Sequence, residues 1–214
     1  MSRRACVVAL ALTCAWAVGC TASRLPDEMT DDGLARVPSR PIAGVYRLPG
    51  ASFVQYKRIL LEPPTISFAR GWQKNHPEVS STELKRILQE SAQIFREEFM
   101  RELIDGGPYE LTDELAADVL IVNPAIQDLD IAAPTEHAYV KGPVKLKLTA
   151  ELRDAATGTL VGRLTIYEGD DNFETYGIRL ANRATSAHEQ RIAFAKWSRI
   201  LSEALAVAKA ERPR

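Results

Sequence analysis

The chain has 214 residues, 27 basic and 28 acidic, and 46% of it is hydrophobic. That is enough for one core of ordinary single-domain size. The near-neutral balance speaks against a nucleic-acid binder, which needs a clear basic excess. Only three cysteines occur, Cys6, Cys14 and Cys20, all near the start.

The first element in chain order is an export signal. Arg3 and Arg4 precede an apolar run from Ala5 to Val18, followed by small residues, which are the parts of a secretory signal peptide. The run is shorter than the roughly 20 apolar residues needed to cross a bilayer. Ala17-Val18-Gly19-Cys20 resembles the lipobox of bacterial lipoproteins, with Ala17 in place of the commoner Leu. The resemblance implies cleavage between Gly19 and Cys20 and acylation of Cys20, and ordinary secretion with cleavage elsewhere is the plainer alternative. Arg3-Arg4 also hints at a twin-arginine signal, but Cys6 stands where that motif has Phe or Leu, so the general secretory route is favoured.

Cleavage before Cys20 would remove residues 1–19, with Arg3 and Arg4 and no acid. The 25 remaining basic residues then stand against 28 acidic ones, a net charge of −3. Cys20 would be the one cysteine left, its sulfur occupied by lipid. The body would then form no internal disulfide and offer no thiolate nucleophile or metal ligand. Thr21 rather than Asp follows the cysteine, which by resemblance to sorted lipoproteins of Gram-negative bacteria implies the outer membrane, periplasmic face. Two or more acyl chains make a stable anchor without any basic patch.

Residues 20–50 read as an extended tether. Pro26, Pro38, Pro41 and Pro49 and an acidic patch accompany little apolar periodicity, a composition that buries too little to offset its ordering entropy. Residues 51–214 read as one globular domain. A strand is expected over Tyr56–Phe68, bent or placed at an edge by Pro63-Pro64. A helix should start near Ser80, where Glu83 three residues on fits a capping box. Its stripe is Leu84, Leu88, Phe95, Phe99 and Leu103, widened by Ile87 and Ile94, and Asp105-Gly-Gly-Pro108 ends it. Short strands are expected near Tyr109–Thr112 and from Val119 toward Leu129.

The strongest strand signal is Val144–Arg153, where Val144, Leu146, Leu148, Ala150 and Leu152 alternate with polar residues. Asp154–Gly158 supplies a turn, and Leu160–Tyr167 returns beside it. A polar loop follows, and then a last helix near Ser186 with a stripe of Phe194, Trp197, Leu201 and Leu205. This order predicts an α+β two-layer sandwich, a mostly antiparallel sheet with two long helices on one face.

Several segments together resemble a known family: Tyr56-Lys-Arg-Ile59 leading to Glu62-Pro63, Glu110–Glu114 leading to Asp118-Val-Leu120, Ala150–Asp154 with Thr157-Gly158, and Ala195-Lys-Trp197. The pattern is similar to the bacterial lipoproteins catalogued as domain of unknown function 3313, over most of the chain from about Ala51. The resemblance implies an envelope lipoprotein without an established activity, and lends no catalytic residue.

No chemical constellation stands out. His76, His137 and His188 are far apart in sequence and lack metal-ligand spacing. No serine sits in a nucleophile elbow or before an x-x-Lys pair, and no phosphate loop or other cofactor motif occurs. Asp170-Asp171-Asn-Phe-Glu174 could offer oxygens to calcium but lacks the EF-hand spacing, and a solvated loop is the simpler reading. Lys141, Lys145, Lys147 and Arg153 should lie on the wet sheet face, with Arg163 a further candidate. There a basic stripe could meet anionic glycan, cell-wall peptide or lipid headgroups, or could only keep sheet edges from pairing. With Asp170 and Asp171, Lys145, Lys147 and Arg153 are the candidate partner-binding residues. The leading expectation is a non-enzymatic binding domain for an envelope protein or cell-wall component. The alternatives are a lipid or glycan carrier and a cell-wall hydrolase.

Overall fold

The computed structural model describes residues 29–38, 44–105, 107–131, 138–141, 145–168, 178–181 and 183–210. The signal segment and Cys20 lie outside them, as do Asp170 and Asp171.

Ten strands are formed by these residues: β1 (Ala35–Arg36), β2 (Gly44–Arg47), β3 (Arg58–Leu61), β4 (Thr65–Phe68), β5 (Glu110–Leu111), β6 (Val119–Asp130), β7 (Ala138–Lys141), β8 (Lys145–Asp154), β9 (Leu160–Glu168) and β10 (Ile178–Ala181). The helices are α1 (Trp72–Asn75), α2 (Ser81–Phe99) and α3 (Arg183–Ala210). Eight strands make one sheet in the order β1-β2-β9-β8-β6-β3-β5, with β4 also on β6, while β7 and β10 form a separate ribbon. The β1-β2-β9-β8-β6 run is antiparallel; β3 and β4 join β6 in parallel. This is the expected α+β architecture, a mostly antiparallel open sheet with two long helices.

The alternation in β8 does what it promised. Leu146, Leu148, Ala150 and Leu152 are buried, and register places Ile126, Pro124 and Val122 of β6 on one side and Ile166, Leu164 and Gly162 of β9 on the other. These residues share a face and meet Phe95, Phe99, Phe194, Trp197, Leu201 and Leu205 of the two helices in one core. Phe95 sits at its centre, 5.6 Å from Phe194 edge-on and 5.4 Å from Trp197, spacings at which aromatic pairs attract beyond their buried area.

Pro63-Pro64 divides the expected long strand in two. Glu62 N–H still donates to the Val122 carbonyl, pairing stops across the prolines, and it resumes at Thr65 opposite Ala125. Both pieces therefore run along β6, with the break where no N–H is available. Ser80 caps α2, its hydroxyl accepting from Glu83 N–H at 3.2 Å. The second half of the capping box is displaced, because the Glu83 carboxylate is taken by Arg86. The buried stripe of α2 is rotated from the expected one. Leu84 and Leu88 are half-buried, whereas Ser91 and Glu98 join Ile87, Ile94, Phe95 and Phe99 inside. Glu98 is compensated by Arg101 and by Arg191 at 3.3 Å. The helix widens into a π-turn at Met100–Asp105. At Gly107 a side chain would collide with the Leu103 carbonyl, so glycine is required there.

One expectation is corrected. The tether was to run to residue 50, yet residues 29–38 and 44–50 belong to the folded body. β2 pairs with β9, β1 pairs with β2, and Leu34 is fully buried in a turn closed by Thr30. The pairing partner is more than 110 residues away in sequence, so no local periodicity announces it. α3, expected near Ser186, begins at Arg183 and holds Ser186 buried in its first turn.

Candidate functional site

The sheet face turned away from the helices is the first candidate. Odd-numbered positions of β8 lie on it, so Lys145, Lys147 and Arg153 share one face as expected, with Thr149 and Glu151 between them. Register adds Asn123, Ala125 and Gln127 from β6, Arg163 and Thr165 from β9, and Tyr46 from β2. Most of these side chains are half-exposed, Lys145 fully so.

The expected basic stripe is interrupted. Glu151 accepts from Arg153 and from Arg163, each at 2.8 Å, and Arg163 also reaches Asp32 at 2.5 Å. Arg153 donates further to the Gly158 carbonyl at 3.2 Å. Burial alone would raise the Glu151 carboxyl, but the two guanidinium groups outweigh it and hold it below the ordinary range. The face is thus a line of alternating charge at one end of β8, Lys145 and Lys147 at the other, and a mostly uncharged middle of Asn123, Ala125, Thr149 and Thr165. The Thr149 and Thr165 hydroxyls lie 3.4 Å apart.

The Glu151–Arg163 pair was missed in the sequence: the one signal, counting back from the Asp154–Gly158 turn, sets Glu151 opposite Gly162, and a register shift between Leu152 and Arg153 moves it to Arg163. Asp32 had no such signal, because it sat in the segment read as a tether.

A second polar cluster marks the hairpin end. Tyr56, fully buried, donates its hydroxyl to Asp154 Oδ2 at 2.9 Å, while Asp154 Oδ1 accepts from Thr157 N–H and Oγ1, both at 2.8 Å. Burial opposes the Asp154 charge, yet these hydrogen bonds prevail and lower its pKa. Burial, reinforced by Asp154, drives the Tyr56 phenol well above its usual value. Nearby, Arg58 clamps Asp118 through two bonds of 3.0 and 2.7 Å. These groups lock the turn and the strand ends, each satisfying another, and nothing in the arrangement exposes a nucleophile.

Two of the three histidines lie among the described residues. His76 stacks on Trp72 with centroids 4.3 Å apart and places Nδ1 2.8 Å from the Trp72 carbonyl, His188 is exposed on α3, and His137 lies outside the described residues. Among the described residues no group of three or more His, Cys, Asp or Glu is placed to hold a metal ion, and no helix is long and apolar enough to cross a membrane.

The third candidate is a pocket of about 300 Å³ between strands β2 and β9 and the end of α3. Val45, Phe53, Leu152, Leu164, Leu201 and Leu205 form its inner wall, and Arg47, Arg163 and Glu203 stand among its lining.

No protein-family model matches the chain, and no curated protein matches it in sequence. Solved structures with a similar chain path include a Xanthomonas campestris protein catalogued under domain of unknown function 330, at 10% identity and TM-score 0.43, covering 80% of this chain and 90% of that one. Others are the PelC dodecamer of Paraburkholderia phytofirmans (14% identity, TM-score 0.36, 74% of this chain and 96% of that one) and a candidate lipoprotein of Caulobacter crescentus (14%, 0.33, 76% and 96%). Likeness at this level carries no argument about activity, ligand or assembly. The catalogued family it includes is other than the 3313 family that the motifs suggested, and no family model supports the latter.

Proposed function

We propose that this protein is an envelope lipoprotein, acylated on Cys20 after cleavage at Gly19–Cys20, which holds a non-enzymatic binding domain on the periplasmic face of the outer membrane. The domain binds an envelope protein or a cell-wall component through its open sheet face, with Lys145, Lys147 and Arg153 in the contact; Asp170 and Asp171, outside the described residues, are the remaining candidates. One observation carries this reading: an eight-stranded sheet has one face packed under helices and the other built of half-exposed residues with both signs of charge. Alternating charge suits specific recognition, because a partner in the wrong register meets like charges.

The anchor and the binding reading are tested together by in-cell crosslinking of wild type and Cys20→Ala, with palmitate labelling and membrane fractionation. The expected result is label and membrane association in the wild type alone, and an envelope component captured by the wild type. A Cys20→Ala protein that still takes up palmitate would remove the anchor, and a wild type that captures nothing would remove the binding role.

A further inference from the structure

The pocket between β2, β9 and α3 lies on the helix-covered side of the sheet, so an inference drawn from it goes beyond the open-face reading and stands without it. Its construction is unusual for a place where two layers meet. The inner walls come from Val45 and Leu164, paired across β2 and β9, from Leu152, and from Leu201 and Leu205 of α3. Ala204 and Ala208 of α3 also line it, where larger residues would close the gap. Gly162 keeps the floor low: a Cβ there would come within 3.3 Å of the Tyr46 carbonyl and 3.4–3.5 Å of Leu152 and Phe53.

The chemistry of this lining separates the ligand classes. A sugar needs buried donors and acceptors to replace its water, since unpaired polar groups are costly in an apolar site. Among the described residues, the buried side-chain atoms with neither a hydrogen bond nor an ion pair are on Ser91, Tyr109, Gln190, Trp197 and Ser198, and none of these residues lines the pocket. Arg47 is half-exposed and Glu203 exposed, so they belong to the rim, whereas the Arg163 guanidinium is held on the other face of the sheet by Glu151 and Asp32. The volume, about 300 Å³, would hold about ten water-sized units of ~30 Å³ each, the bulk of one aliphatic chain of about ten carbons.

We infer that this pocket binds a single fatty acyl chain, its polar end directed to the rim beside Arg47 and Glu203. The chain could come from a free lipid or from the protein's own acylated Cys20, and the two sources separate by experiment. Decanoate is titrated calorimetrically into the full-length wild type and into full-length Cys20→Ala, with maltotriose as the sugar control. Two filling substitutions in the Cys20→Ala background, Ala204→Phe and Ala208→Leu, occupy the space from different positions, and their melting curves report whether each is folded. The expected result is decanoate binding to Cys20→Ala, weakened at least about tenfold by either folded filling variant, and no binding of maltotriose. Binding to both wild type and Cys20→Ala identifies free lipid as the source; binding to Cys20→Ala alone identifies the tethered acyl chain. No decanoate binding to Cys20→Ala, or binding unchanged in a folded filling variant, overturns the inference.

Discussion

The two faces of the sheet are made by the same strands and do opposite things. On the covered face, side chains from β6, β8, β9, α2 and α3 exclude water from one another, and the charge admitted there, Glu98, has Arg101 and Arg191 against it. On the open face, Arg163 bridges Glu151 and Asp32, and Arg153 shares Glu151. Apolar burial supplies stability roughly in proportion to area, whereas half-exposed ion pairs contribute little. One face therefore carries the fold, and the other is free to vary toward a partner at small thermodynamic cost.

The comparison is broken most directly in the core. Phe95→Ala removes a fully buried ring that touches both helices and should cost about 3–5 kcal/mol, read as a large fall in the denaturant midpoint. At the joint between the faces, Tyr56→Phe deletes the donor to charged Asp154 and should cost about 1.5–3 kcal/mol with the sheet intact by circular dichroism. At the margin of the helical layer, Ser80→Ala should cost about 1 kcal/mol through the lost cap. On the open face, Glu151→Gln should change stability by no more than about 1 kcal/mol. A larger loss there would make the open face part of the structural core after all.

Acid should bring the two faces together. The carboxyls of Asp118, Glu151 and Asp154 titrate below their ordinary values in the folded protein. A depressed carboxyl contributes stability that is complete above its unfolded pKa, about 4 for Asp and Glu, and lost as pH falls through the lower folded value. Denaturant midpoints from these groups should thus stay level from pH 6 upward and fall below about pH 4. In Glu151→Gln the fall should be shallower.

Where the chain's own neighbours decide conformation, the sequence could be read closely. The Ser80 cap, the Pro63-Pro64 break, the alternation of β8 and the Asp154–Gly158 turn each act over a few residues, and each stands where the pattern put it. Short strands held by distant partners were illegible. β1 and β2 have two and four residues in a proline-bearing segment, and only pairing to β9 makes them strands. β7 and β10 likewise exist through each other. The polar members of the helix seam, Ser91 and Glu98, were hidden for a related reason: the hydrophobic stripe marks an approximate face, and the crossing of α2 with α3 decides which positions close. Of the candidate site, the shared face of Lys145, Lys147 and Arg153 followed from period two alone. The neutralising Glu151 required register, and Asp32 required the tertiary fold.

The central claim, that the open face binds and the covered layer supports, is tested most directly by site-specific photo-crosslinking in living cells. A photoreactive amino acid is placed at Thr149, in the middle of the open face, or at Ile192, exposed on the outer side of α3. The account predicts a discrete adduct with an envelope protein or cell-wall fragment from Thr149, reduced when Lys147 and Arg153 are changed to alanine, and no such adduct from Ile192. An adduct from Ile192 with none from Thr149 would contradict it and move the binding surface to the helices.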